Sequence, residues 1–551
     1  MPRSLFSVLK FLTSIKMEKL TKSLFSVFLF LTSFAFAQTP QFGGTIIFGK
    51  SGEAVSLDPS HETDGESFYI AQNVYDTLVD HKSNSSGIEA SLATSWDISD
   101  DGLKYTFNLR KNVYFSNTRY FKQKSEFTAA DVVFSFKRQF EKSHKYHNIG
   151  GSFATWNAMD MSNIIDDVIA LDRYTVQFKL KRIESPFLAN LGMEFASILS
   201  SDYANYLLKT NKQNQIGEKP VGTGPFIFNK WVKDDKLILT TNKNYWNGKP
   251  FLDKLIFKII TNSKFRAAEL KNGSIHIMDF PNPHDINSLE SSSNIKLVKK
   301  EGLNVAYLTF NQEKKPFDNK LVRQAISHAI NVKEIIDQVY EGYGKIATNP
   351  IPPGMWSYND ELKGYDYDIS KAKELLKQAG LEDGFTSNLW AMPLARPYNP
   401  NARKMAKLMK ADLKKIGIKV KIISYDWKSY LEKSSMGEHE MLLGGWTSGN
   451  GDPDDFLNIL LSKHAALQKP SENKSFWKND AFTQLIEKAR QTTNINERTN
   501  FYKEAQVIFE SEAPWKPLAH QIVVVPMLKN VHGFKLDSFG KREFRNVWME
   551  K

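Results

Sequence analysis

Two segments of this chain gather the side chains that could grip a small charged molecule. One runs from Trp390 as Trp-Ala-Met-Pro-Leu-Ala-Arg396-Pro-Tyr398-Asn-Pro-Asn; the other reads Gly445-Trp446-Thr447-Ser448-Gly449-Asn450-Gly451-Asp452-Pro453-Asp454. Proline and glycine break both into loops that leave apolar runs, and each loop combines charge, aromatic rings and backbone amides. A guanidinium fork grips a carboxylate, aromatic faces flank a side chain, and carboxylates can meet an ammonium. Together these suit a zwitterion. Two ordinary surface loops would carry the same residue types, so the rest of the chain has to decide.

Catalysis is the weaker reading. Asp452, Asp454 and Asp455 could form an acid–base set, but acids around a proline more often cap a helix. Asp454 is expected as the N-cap of a helix containing Phe456, Leu457, Ile459 and Leu460. His439-Glu440 lacks the second histidine of a zinc H-E-x-x-H motif. There is no G-x-S-x-G elbow, P-loop or dinucleotide fingerprint where it could function. The expectation is a binding protein that is not an enzyme and carries no cofactor.

The elements that must position these loops are legible from period and punctuation. Lys104 to Arg110 alternates as a strand with Tyr105, Phe107 and Leu109 on one face, after a turn at Asp100-Asp101-Gly102. Thr128 with Asp131 three residues on opens a helix whose Val132, Val133 and Phe136 face inward. A helix capped by Asp368 ends at Gly380. From Ala402, the residues Met405, Leu408, Met409, Leu413 and Ile416 keep helical spacing up to Gly417, and Ile418, Val420 and Ile422 then alternate as a strand. The Met405/Met409 stripe reads as core filling rather than a cofactor box. The fold class is α/β, mixed α+β, with mixed sheets.

The N-terminus reads as a targeting segment. Lysines after Met17, an apolar run from Ser23 to Phe34 and Ala35-Phe36-Ala37 before Gln38 give the n-region, h-region and A-x-A site of a secretory signal covering residues 1–37. Residues 4–14 nearly repeat 23–33, so Met17 is the expected start. The chain has no cysteine, which excludes disulfides, thiolate zinc sites and a lipidated N-terminal cysteine, and favours free diffusion in a periplasm. Of the net charge of +12, residues 1–37 carry +4, leaving +8 as scattered lysines with no basic stripe, so no nucleic-acid partner is expected. No later apolar stretch reaches membrane-spanning length.

Four further stretches resemble one family. Ala93-x-x-Trp96 through Arg110, Phe127 to Arg138, Pro220-Val-Gly-Thr-Gly-Pro-Phe226 and Val322 to Asn331 resemble the large solute-binding proteins of peptide and nickel ABC transporters, family 5, from about Gly43 to the C-terminus. Arg396 to Asn401, Gly437-Glu-His439 and Gly451 to Asp454 most resemble its dipeptide-binding branch.

The resemblance implies a hinged, two-lobed periplasmic binding protein. Lobe I would be residues 38–302 plus 522–551, with an inserted subdomain at about 86–215, and lobe II would be 303–521. The crossings would fall near Gly302-Leu303-Asn304 and His520-Gln521. It further implies that Arg396 grips a peptide carboxylate, that Trp446 lines the cleft, and that Thr63-Asp64-Gly65-Glu66-Ser67 adds backbone contacts. Tyr398, Thr447, Ser448 and Gly449 complete the expected peptide site.

Gly449 stands where the branch has an aspartate for the peptide amine, leaving Asp452, Asp64, Glu66 or water to meet it. Expected partners are a short peptide and an inner-membrane ABC permease, with the receptor monomeric. The alternative cargo is a nickel chelate or haem, for which His61 and His464 are candidate ligands.

Overall fold

The strand Asn304–Phe310 is buried at all seven positions, and so cannot be the half-wet strand of an open sheet. It lies near the middle of the largest sheet in a computed structural model that describes residues 39–82, 87–122 and 124–551. The signal-peptide expectation for residues 1–37 lies outside the described residues. Phe42–Lys551 forms one compact unit; of the short unit before it only residues 39–41 are described, and they carry no helix or strand.

Strand by hydrogen-bonded strand, the large sheet runs Lys419–Ile423, Thr386–Trp390, Met441–Thr447, Asn304–Phe310, Trp515–Leu528, Ile277–Met278, Thr45–Lys50, Lys254–Ile259, Lys236–Thr241 and Phe226–Val232. Parallel pairs such as Thr386–Trp390 with Lys419–Ile423 sit beside antiparallel ones such as Asn304–Phe310 with Met441–Thr447. The sheet is therefore mixed.

Trp515–Leu528 is the long strand shared by both halves of this sheet. Its first half pairs with Asn304–Phe310, and its second half pairs with Ile295–Glu301. Between those partners lies Gly302-Leu303, where the chain crosses from one half of the long strand to the other. Asn304 ties the crossing together. Its side-chain amide donates to the Gln521 carbonyl at 2.9 Å, while its Oδ1 accepts the Gln521 N–H at 2.8 Å. A Cβ on Gly302 would stand 2.5 Å from Asn304 Nδ2, so a side chain there would displace that bridge.

A second, antiparallel sheet of Ala93–Ile98, Lys104–Leu109, Thr175–Leu180 and Ile165–Asp172 stands apart from the first. The helix Ala129–Phe140 covers it, opened by the expected capping box in which Asp131 Oδ2 accepts the Thr128 N–H at 2.8 Å. Val132 and Phe136 are fully buried, whereas Val133 is only partly so.

The other expected helices form at Ile369–Gln378 and Ala402–Lys414, the latter followed by the strand Lys419–Ile423. Gly380 and Gly417 end them at φ of +72° and +83°, a region that favours glycine. Met405 and Met409 are wholly buried in a core built from residues between Ala306 and Ala519. That placement agrees with core packing.

Candidate ligand cleft

A cleft of about 1220 Å³, counting solvent at its mouth, opens between segments on both sides of the crossing. One wall is the start of the helix Gly65–Val74 with the turn around Met193 and Glu194; the other carries Arg396, Tyr398, Trp427 and the 444–449 loop. Asp64 fixes the first wall by capping the helix, its Oδ1 accepting the N–H groups of Glu66 and Ser67 at 3.0 and 3.3 Å.

Arg396 is 3 % exposed and projects onto that helix start. Its Nη1 donates to Glu66 Oε1 at 2.9 Å, the Trp427 ring lies 4.7 Å from its guanidinium carbon, and Nε has no hydrogen-bond partner in the protein. Burial opposes the charge, but the Glu66 carboxylate, with Tyr398 and Tyr69 after it, holds the Arg396 pKa above its ordinary value. The guanidinium is thus charged, enclosed and incompletely bonded. Other lining residues share that last property: Asp64 Oδ2, Trp427 Nε1 and Thr447 Oγ1 are buried without a partner in the protein. Each such group carries a desolvation cost of about 1–3 kcal/mol that a polar ligand can relieve.

Two glycines bring the aromatic rings in. A Cβ on Gly445 would stand 2.1 Å from the Tyr398 ring, and one on Gly444 would stand 2.6 Å from the Tyr307 ring. The strand Met441–Thr447 therefore lets both rings lie flat against its backbone. Tyr398, Trp446, Thr447, Ser448, Gly449 and Gly65 all line the cleft.

The loop amides are already paired within the protein and are not free for a ligand. Gly449 N–H donates to Asp455 Oδ2 at 2.6 Å, Ser448 N–H to the Leu303 carbonyl at 2.8 Å, and Gly451 N–H to Ser448 Oγ at 2.9 Å. Asp455 also accepts the Trp446 indole N–H at 3.1 Å, and burial raises its carboxyl to about 7. The loop is shaped around Asp455 from within.

Several expected contacts are placed elsewhere. Asp452 faces Arg498, whose Nη2 lies 2.9 and 2.8 Å from its two oxygens, and it does not line the cleft. It also accepts the Asp454 N–H at 3.0 Å, so Asp452 rather than Asp454 caps the turn; the helix Asp454–Leu461 has Pro453 at its N-cap position. Glu66 is absent from the cleft lining because Lys50 at 3.2 Å, Ser51 at 2.9 Å and Arg396 surround its carboxylate. Ser67 turns back on its own lobe, its Oγ accepting the Val55 N–H at 3.0 Å.

Neither histidine lines the cleft. His61 stacks on Phe153 and reaches the Ser152 carbonyl at 3.1 Å; His464 reaches the Asn157 carbonyl at 3.0 Å and Asp160 at 3.2 Å. Among the described residues no cluster of three or more His, Asp or Glu is arranged to hold a metal ion.

Sequence reasoning missed Tyr307, Trp427, Met193, Glu194 and Glu472, all of which line the cleft. Trp427 had a local signal, as the one large ring at the start of a helix capped by Asp426. The others sit in segments with no feature of their own.

The chain belongs to the bacterial extracellular solute-binding proteins of family 5, whose middle region matches residues 87–467. Its similarity to solved structures of that family carries the two-lobed binding-protein architecture. It is 42 % identical over 509 residues to the dipeptide-binding protein of Escherichia coli K12, covering 92 % of this chain and 95 % of the relative. The heme-binding protein A of Haemophilus influenzae is 40 % identical, with 91 % of this chain and 92 % of the relative covered. The periplasmic binding protein DppA of Helicobacter pylori, solved in complex with the peptide STSA, superposes at a TM-score of 0.90 with 47 % identity, covering 93 % of this chain and 99 % of that one.

Proposed function

We propose that this chain is a periplasmic receptor that encloses dipeptides or other short peptides between its lobes and delivers them to an inner-membrane ABC importer. The observation that carries the reading is Arg396, a buried guanidinium in the cleft wall with an unbonded Nε and an aromatic face beside it. A peptide C-terminal carboxylate is the group such a fork recognises best. Tyr398, Trp446 and Trp427 offer ring surface to side chains, and bridging water would let side chains of different size be accepted. Names of relatives support peptide cargo, while the haem-binding relative keeps a second cargo in view. Placement of His61 and His464 away from the cleft weighs against metal held through either histidine.

Lobe I comprises residues 38–302 and 522–551 in this reading, with the inserted subdomain at about 86–215, and lobe II comprises 303–521. Residues 1–37 direct export and are removed near Ala37. The closed form docks on the permease as a monomer, and ligand acts by favouring closure.

Native mass spectrometry of the chain purified from a periplasm would reveal a retained ligand directly. Calorimetry would then compare Ala-Phe, Ala-Ala-Phe and Ser-Thr-Ser-Ala with nickel–histidine and haem. Heat with peptides and none with the other two is expected. No heat with any peptide at millimolar concentration would end the peptide reading.

A further inference from the structure

Peptide binding by this cleft, taken from the reading above, leaves the ligand's ammonium to be neutralised. Three acidic side chains line the cleft: Asp64, Glu194 and Glu472. Glu472 already faces Lys474 at 3.3 Å. Asp64 caps the helix Gly65–Val74, lies within the field of Arg396, and sits beside Glu62, whose proton is held up to about 10 by burial and by Asp64 itself.

Glu194 is placed differently. Its Oε1 accepts the Gln72 amide at 2.6 Å, and none of the ion pairs found among the described residues involves its carboxylate. The cation whose field reaches it, Lys541, is shared with Asp80 and Glu543 and forms its ion pair with Asp80. Lys541 is thus already committed to another carboxylate, and among the described residues Glu194 keeps no ion pair of its own.

Its neighbour Met193 explains how the site dispenses with an acid at 449. A Cβ built on Gly449 would stand 2.7 Å from Met193 Cε, so the thioether fills the space that a side chain on that loop would use. The helix Gly65–Val74 then acts as a ruler. A Cβ on Gly65 would lie 3.4 Å from Arg396 Nη2, and Gln72, seven residues on, holds Glu194. Seven residues of α-helix rise about 10 Å, the scale of two or three extended residues at about 3.3–3.6 Å each.

We infer that Glu194 receives the ligand's N-terminal ammonium from the wall opposite Gly449, so that Arg396 and Glu194 together select short peptides with both termini free. The acid has changed walls: the ammonium is met across the cleft from the loop and not by it.

Glu194→Gln keeps the oxygen that Gln72 uses and removes the charge, so the fold should persist. Calorimetry on the full chain would measure Ala-Phe, Ala-Ala-Phe and Ser-Thr-Ser-Ala with free and with N-acetylated amines. Glu194→Gln should weaken the tightest free-amine peptide by at least about 10-fold while leaving its acetylated form unchanged. Adding Gly449→Asp to that variant should restore most of the loss, since Met193 can swing its methyl aside.

Unchanged free-amine affinity, equal loss for both forms, or the selective loss appearing in Asp64→Asn or Glu472→Gln instead would overturn the assignment. Absence of binding by the wild-type chain would overturn the peptide reading itself, a result distinct from a wild type that binds and a Glu194 variant that binds equally well.

Discussion

Arg396 carries its charge into the protein interior, and Glu66 makes that tolerable, because a buried cation without a partner would cost several kcal/mol. Glu66 in turn keeps Lys50 and Ser51 when Arg396 is removed, so the fold should survive the loss of the guanidinium. Arg396→Ala is expected to lower peptide affinity by at least about 2 kcal/mol, roughly 30-fold, by deleting the carboxylate's partner. Arg396→Lys should recover little, since a point charge cannot reproduce a fork. Calorimetry on the two variants decides it, and wild-type affinity in Arg396→Ala would remove this residue from the site. The Arg396 loop stood out in the sequence because it carries its own signature, and the arginine's side chain lies in the cleft wall. Glu66 was not legible: its acid type suggested an ammonium partner, and nothing near it in sequence announces that Arg396, 330 residues away, takes its Oε1. Asp452 misled for the same reason, its partner Arg498 lying 46 positions on.

At the scale of elements, what sequence revealed was what short-range chemistry decides. Asp368 and Gly380 bracket one helix, and Thr128 with Asp131 opens another, because caps and periods act within a turn or two. The 446–451 loop escaped that reading, since its shape comes from Asp455 on the next helix drawing in the Gly449 amide and the Trp446 indole. A pH dependence follows. Burial raises the folded Asp455 carboxyl to about 7, against about 3.9 in an unfolded chain. Between those values the folded state holds a proton that the unfolded state has released, so this group's contribution to stability is full below about pH 4 and falls as pH rises towards 7. Asp455→Asn should remove that component, leaving melting temperature less sensitive to pH between 4 and 7 than in the wild type. Parallel melting curves for the two chains would show the carboxyl to be inert.

Across the whole molecule, segments far apart in sequence are also joined at places that never touch the cleft. Arg490, 1 % exposed, donates from Nε to Glu184 at 2.9 Å and from Nη2 to the Met159 carbonyl at 2.9 Å, while Glu487 binds both Arg490 and Arg182. Those contacts join the helix Asp480–Gln491 to the segment carrying the second sheet, and Asn450 reaches Asn190 of the same segment at 2.7 Å. In the two-lobed reading proposed above, the crossing at Asn304 and Gln521 is the pivot and this network the latch. If binding selects the closed form, apparent affinity scales with the fraction of receptor already closed. Arg490→Ala leaves Glu184 buried without its nearest cation, which disfavours the shut arrangement. Peptide affinity should therefore drop by about 10-fold although no cleft residue has changed, and small-angle scattering should give a larger radius of gyration without ligand. Saturating peptide should bring the variant back to the wild-type radius. A ligand-free radius and an affinity both equal to the wild type's would show that the Arg490 network braces the subdomains without governing closure.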